Sequence, residues 1–276
     1  MKALFYKKFG RPDVLTFGHL PDPILQSADV LIAVSATALN RLDIVQRNGW
    51  FTLPGFSLPH VAGMDLAGTV VEVGAGVSHV KTGDRVVADP SLHAVGGDSQ
   101  FTGLGERYGD LGVIGATHAG GYGELCAVSA DHVHPIPDAM DFATAAVFPT
   151  AWMTTHHALF RVGELRSGET LLVHGATSAL TLAATQMAVA AGARVLVTAA
   201  SEEKCAIAQG LGAAATTTNR ESDVTSWAMQ QTDGNGVDMV LDHVGPALWE
   251  ASLFALAPRG RPVSYTHLRA HETIAD

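Results

Sequence analysis

The segment His174-Gly-Ala-Thr-Ser-Ala-Leu-Thr181 follows the apolar run Thr170-Leu-Leu-Val173 and leads directly into a helical stretch holding Gln186 and Met187. A strand-to-helix turn of small residues lets backbone approach a pyrophosphate, whose charge the helix N-terminus then holds. Gly175, Ala176, Ser178 and Ala179 are small, and Thr177 and Leu180 complete the candidate turn. The GxGxxG fingerprint is absent as such, because its glycine positions hold Ala176, Ser178 and Thr181. Taken alone, the turn is equally an ordinary strand-turn-helix connection. The next strand adds chemistry. A site for NAD usually ends that strand with Asp or Glu to accept from the ribose 2′-hydroxyl, whereas this one ends Val197-Thr-Ala-Ala200. Ser201 and Lys204 follow, offering a hydroxyl and a positive charge to a 2′-phosphate, so the expected cofactor is NADPH. Against this, Ser201 is also an ordinary N-cap, Lys204 an ordinary exposed lysine, and Glu202 and Glu203 partly oppose a phosphate.

The elements that must position this turn read in two rhythms. Up to about Pro137 the chain shows short apolar runs broken by Gly and Pro, at Val30 to Ala36, Ala67 to Val73, Arg85 to Ala88 and Glu124 to Val128, a β-rich pattern. Ser91 to Gly123, rich in glycine, reads as an extended loop or lobe. Beyond Asp141, strands at Thr170 to Val173, Arg194 to Thr198, Ala214 to Thr217 and Val237 to Asp242 alternate with helices. The helices are Ala179 to Ala191, Glu202 to Leu211, Asp223 to Thr232 and Leu248 to Leu256, and the alternation implies a parallel sheet with helices on both faces.

Composition narrows the class. The 276 residues are 47% hydrophobic and 16% charged, enough for a sizeable core. A formal charge of -10 disfavours nucleic acid, which demands clustered Lys and Arg. Apolar stretches such as Leu182 to Ala193 are interrupted well short of the ~20 residues that span a bilayer, so no membrane partner is expected. Met1 to Gly10 carries no leader pattern, which makes the cytoplasm the default location. Cys126 and Cys205, in no metal or redox spacing, read as buried free thiols.

Ordered motifs across nearly the whole chain resemble the medium-chain dehydrogenase/reductase superfamily. Leu39-Asn-Arg-Leu-Asp43, Gly63-Met-Asp-Leu-Ala-Gly-Thr-Val-Val-Glu-Val-Gly74 and Lys81-Thr-Gly-Asp-Arg-Val86 resemble its GroES-like catalytic domain. Pro137 to Ala146 and Thr154 to Leu159 look like its domain-joining helix. Gly168 to Ala176, Ala193 to Lys204 and Gly236 to Gly245 match its nucleotide-binding domain. The resemblance implies an α/β fold: a GroES-like β-rich catalytic domain (1–140) plus a Rossmann doubly wound parallel sheet (141–262), truncated at its C-terminal end. Where zinc-dependent members place their three catalytic ligands, this chain has Asn40, Met64 and Thr150, so the resemblance is to the zinc-free, quinone oxidoreductase type. Val95 to Ala119 keeps the length of the structural-zinc lobe without a cysteine, and His60, His93, His118 and the adjacent His156-His157 lack ligand spacing. The expected metal content is none.

Relatives of this type pass hydride from NADPH to quinones, enones or similar α,β-unsaturated carbonyls. By resemblance, Asn40 and Thr150 line the nicotinamide cleft, Asp43 organises Asn40, and Thr154 approaches the cofactor. Asn219 stands where many relatives have a tyrosine near the 2′-phosphate, with Arg220 beside it. Asp65 reads as a structural hydrogen-bond acceptor rather than an acid catalyst, and water is the simplest proton donor. A zinc-dependent alcohol dehydrogenase relative and a non-catalytic NADPH-binding protein are the alternatives, and the parent protein is expected to be a homodimer.

After Ala257-Pro-Arg-Gly-Arg261 the family has a buried apolar fifth strand. Here Val263 to Thr273 is what one reading frame of a transposon-based sequencing adapter encodes, over eleven residues in register. Pro262 to Asp276 is therefore expected to be a library scar outside the fold, with 263–276 non-native, the sheet lacking its last strands and its apolar edge unpaired. Such an edge invites aggregation and predicts poor expression and slow turnover.

Overall fold

The computed structural model describes residues 1–53, 55–92, 112–219 and 223–264. The chain divides into two compact units, Met1–Thr150 and Ala151–Asp276.

The first unit is built on antiparallel strands. Its strands are β1 Lys2–Tyr6, β2 Thr16–His19, β3 Asp29–Ala38, β4 His60–Val61, β5 Asp65–Val73, β6 Arg85–Ala88, β7 Ser91–Leu92, β8 Gly112–Val113, β9 Leu125–Ser129 and β10 Val133–Pro135. Five of them form a sheet in the order β10-β6-β5-β3-β9, and β2-β1-β4 form another. Alternation supplies the core: Val30 and Ile32 of β3 meet Leu66 and Val70 of β5, Val86 of β6 and Val128 of β9, all at most 2% exposed. The β3–β5 contact tolerates no side chain at Gly68, where a Cβ would lie 2.1 Å from the Ala33 carbonyl oxygen. Among the described residues, the α-helices α1 Arg41–Arg47 and α2 Phe142–Ala146 accompany these strands, the second burying Ala145 and Ala146 against Ala67. The lobe expected over Ser91 to Gly123 is described only at its ends, where β7 pairs with β8. The cysteine-free stretch with His93 lies largely outside the described residues.

Helix α3 (Pro149–His156) and a π-turn at His157–Val162 lead into a parallel sheet. That sheet comprises β11 Thr170–His174, β12 Arg194–Ala199, β13 Ala215–Thr218, β14 Val237–Asp242 and β15 Leu256–Ser264, in the order β13-β12-β11-β14-β15. Between them run α4 Ala179–Ala190, α5 Glu202–Gly210, α6 Val224–Gln231 and α7 Pro246–Phe254. Order and crossovers are those of a doubly wound sheet. The central strands are apolar on both faces: Leu171, Leu172 and Val173 are fully buried, as are Val240 and Leu241, because helices cover both sides.

The fifth strand corrects the sequence reading in two ways. Residues 262–264, expected outside the fold, are paired: Pro262, Val263 and Ser264 lie opposite Val240, Leu241 and Asp242. Helix α7 also ends at Phe254, and Leu256 starts the strand instead. The reason is local. A register shift opposite Val237/Met239 and a left-handed Arg259 (φ 71°) absorb Ala257 to Gly260 as a bulge. Proline is accommodated because this is the sheet edge, where one row of backbone donors is not needed. Arg261 anchors the strand, donating from Nε to the Gly163 carbonyl at 2.6 Å and from Nη2 to Glu169 Oε2 at 2.6 Å. Residues 265–276, the rest of the adapter-like stretch, lie outside the described residues. Val263 is 7% exposed and joins the core cluster of the parallel sheet. Val263→Asp is expected to lower stability by about 3 kcal/mol, since an unpaired carboxylate replaces a buried apolar side chain. Denaturant titration measures it, and an unchanged midpoint would show that the strand is not part of the folded core.

Candidate active site

Asp65 opens β5 because the β3–β5 register sets it opposite Ala38, two residues before Asn40. Its carboxylate is 2% exposed and receives three donors. Thr150 donates to Oδ1 twice, from its backbone N–H at 2.9 Å and from Oγ1 at 2.6 Å, while Asn40 Nδ2 donates to Oδ2 at 3.0 Å. The Asp65 carbonyl accepts from Thr37 Oγ1 at 2.6 Å. Three residues separated by long stretches of chain thus meet at one buried charge. The Asn40 amide retains a second N–H, oriented by the first.

Asp43 supports the arrangement from α1. Asn40 and Asp43 occupy the two ends of a capping box, and Asp43 Oδ2 accepts from the Asn40 backbone N–H at 2.8 Å and from Tyr122 Oη at 2.9 Å. Asp43 Oδ1 accepts from the Gly63 N–H at 3.2 Å. Glycine is required at 63: φ is +102° and a Cβ would stand 2.5 Å from Tyr122 Cδ1. Burial raises both aspartates above the ordinary carboxylate range, and the hydrogen bonds to each oppose that shift. Burial, together with the neighbouring Asp43 charge, raises the Tyr122 phenol well above its usual value.

The three residues expected to do chemistry, Asn40, Asp43 and Thr150, therefore sit in one hydrogen-bonded cluster. Met64 is a core residue, 9% exposed. The ring of His60 lies 2.8 Å from the Gly115 carbonyl, and that of His118 lies 2.8 Å from Thr117 Oγ1. Among the described residues, no three His, Cys, Asp or Glu side chains gather as a metal site.

The second candidate group surrounds the end of β11. Gly175 adopts φ +74°, a left-handed turn that suits glycine. Its N–H and that of Ala176 donate to the Thr198 carbonyl at 2.9 and 3.1 Å, tying the turn to β12. Ser178 caps α4, accepting from the Thr181 N–H. Thr177, Ala179 and Leu180 complete the turn, and the start of α4 carries N–H groups without intrahelical partners. A dinucleotide pyrophosphate fits this arrangement of a left-handed glycine, a capped helix N-terminus and backbone donors. Thr154 is half-buried on α3, and its neighbour Thr155 donates to the Leu180 carbonyl at 3.4 Å.

At the end of β12, Ser201 caps α5 by accepting from the Lys204 N–H at 3.5 Å, and Lys204 is exposed. The Asn219 N–H donates to the Ala199 carbonyl at 2.9 Å, bringing the end of β13 beside that of β12. Arg220 lies outside the described residues.

Beneath the turn lies a polar network that the sequence reading did not find. His174 Nδ1 is 2.9 Å from Thr198 Oγ1, and Nε2 is 2.9 Å from Ser252 Oγ. Ser252 donates to Asp242 Oδ2 at 3.0 Å, and Asp242 Oδ1 accepts from the Val244 and Gly245 N–H groups. Burial depresses the His174 and His243 pKa values below the usual imidazole range. The signal available in the sequence was the pair of histidines closing the apolar strands Thr170–Val173 and Val237–Asp242.

Comparison with known proteins follows the two units. The family described as "Alcohol dehydrogenase GroES-like domain" matches residues 26–138, and that described as "Zinc-binding dehydrogenase" matches 179–274. A quinone oxidoreductase of Pseudomonas aeruginosa is 32% identical over 264 residues, covering 96% of this chain and 73% of the relative. The chain belongs to the quinone oxidoreductases of the medium-chain dehydrogenase/reductase superfamily. Among solved structures of this superfamily, the Escherichia coli quinone oxidoreductase complexed with NADPH superposes with a TM-score of 0.79 at 28% identity, covering 96% of this chain and 72% of that one. An NAD-dependent alcohol dehydrogenase superposes at 0.87 with 33% identity, covering 96% and 77%. Among the described residues, no helix of this quinone oxidoreductase family member is long and apolar enough to cross a membrane.

Proposed function

We propose that this quinone oxidoreductase family member reduces a quinone or another α,β-unsaturated carbonyl with NADPH, without zinc. The observation that carries the reading is the Asp65 cluster. At the positions resembling the ligand set of zinc-dependent members stand an amide, a thioether and a hydroxyl, and the side chains of Asn40 and Thr150 both donate to the Asp65 carboxylate. Zinc needs deprotonated Cys, neutral His or free carboxylate donors; this set does not fit it.

The bound nicotinamide supplies the hydride. The protein's share is positional and electrostatic. Asn40, held by Asp65 and by the Asp43 arm of the capping box, presents its second amide N–H to the carbonyl oxygen on which charge develops. Thr150 is held by the same carboxylate, and Asp43 keeps the start of α1 in place through Tyr122 and Gly63. Residues 175–180 receive the pyrophosphate, and Thr154 approaches the cofactor. Ser201, Lys204, Asn219 and Arg220 favour a 2′-phosphate, supported by the absence of a carboxylate at the end of β12.

Steady-state oxidation of NADPH and NADH with menadione or an enone tests the reading. NADPH should be preferred by about tenfold or more in kcat/KM, corresponding to about 1.4 kcal/mol. Preference for NADH would remove the roles given to Ser201 and Lys204. Binding of NADPH without oxidation would favour the non-catalytic alternative, and alcohol oxidation in place of quinone reduction would favour the alcohol dehydrogenase one.

A further inference from the structure

The fingerprint's third glycine allows close packing of the first helix on the first strand, and here that position is Thr181, which is fully buried. Its hydroxyl donates to the His174 carbonyl at 2.6 Å. The Nε2 atom of His243 lies 2.8 Å from that hydroxyl and 2.8 Å from the same carbonyl. A carbonyl only accepts, and the Thr181 proton is already given to it, so Nε2 carries the hydrogen and His243 is the donor to both. The parallel pairing of Val173 with Leu241 puts His174 and His243 at the same end of adjacent strands. The imidazole also lies beneath the bend of the turn, since a Cβ added to Gly175 would stand 3.4 Å from His243 Cε1.

We propose that His243 is a positioning residue for the dinucleotide, clamping the turn from Gly175 to Ala179 by bridging Thr181 and the His174 carbonyl. The clamp replaces the close packing that glycine at 181 would provide. It rests on the reading of this turn as the pyrophosphate site, and it makes two positions of the chain interdependent: a side chain at 181 that bears a hydroxyl requires a donor at 243.

Two measurements on the full chain test it: amide hydrogen exchange of residues 175–181 without ligand, and NADPH affinity by fluorescence titration without a substrate. His243→Ala is expected to speed exchange in the turn about tenfold and to raise the NADPH Kd by a similar factor. His243→Gln, which keeps a donor, should recover most of both effects and covers the case in which the alanine variant does not fold. Thr181→Gly should remove the dependence, so that adding His243→Ala to it changes the Kd less than about threefold. Equal losses in both backgrounds, or wild-type exchange in both His243 variants, would overturn the clamp. Should the wild type bind neither NADPH nor NADH, the cofactor reading fails, while the exchange arm still reports on the clamp.

Discussion

Asp65→Ala is expected to lower kcat/KM for quinone reduction by about a hundredfold or more and to destabilise the protein by about 3 kcal/mol. Both effects have one origin. Removing a buried carboxylate that satisfies three donors leaves those donors unpaired, each unsatisfied group costing about 1–3 kcal/mol before relaxation. The rate effect follows because the Asn40 amide and Thr150 hydroxyl lose the acceptor that orients them, and loss of one preoriented donor to a developing oxyanion costs about a hundredfold or more. Asp65→Asn keeps the volume but places an NH2 group against donors, so it should repair little of the rate. Denaturant titration and steady-state kinetics separate the two readouts. A variant with reduced stability and unchanged kcat/KM would reduce Asp65 to a scaffold residue.

Gly175→Val should weaken NADPH binding by at least tenfold with a smaller effect on stability. A β-branched residue at φ +74° costs about 1–3 kcal/mol of backbone strain. The Cβ would also stand 3.4 Å from His243 Cε1, in van der Waals contact, which leaves little room for the added methyl groups. The turn relieves both by moving, and the start of α4, proposed to receive the pyrophosphate, moves with it. Calorimetric titration with NADPH measures the loss; affinity within twofold of wild type would show that this turn does not hold the cofactor.

The four helices and the first four strands of the parallel sheet were legible to within about two residues, because their apolar runs alternate regularly with helical segments. The edge strand Leu256–Ser264 was not. Pro258, Gly260 and Pro262 interrupt its apolar pattern, and the bulge that accommodates them is set by pairing with β14. Strands β1 and β2 were missed for a related reason: each is short, and their pairing, Leu4 with Phe17, is visible only once the fold is assembled.

In the candidate site, residue types were legible and connections were not. Asn40, Asp43 and Thr150 came from motif resemblance, yet the residue joining Asn40 to Thr150 is Asp65, and the pairing of Ala38 with Asp65 that brings it there is a long-range register. Ser201 was read both as a phosphate ligand and as an ordinary N-cap, and the structure shows its hydroxyl as the cap of α5. In the sequence, His174 is only the first residue of the turn segment and His243 one residue of the motif Gly236 to Gly245. Parallel strands place them together, and a hydrogen-bonded threonine in a glycine's position gives one of them a purpose.

The most direct test of zinc-free hydride transfer measures metal content and activity on the same sample. The protein is dialysed against a strong chelator, analysed for zinc, and assayed for NADPH-dependent reduction of menadione. The arrangement around Asp65 predicts zinc far below one ion per chain and a rate unchanged by chelation. Activity lost on chelation and restored by zinc alone would contradict it.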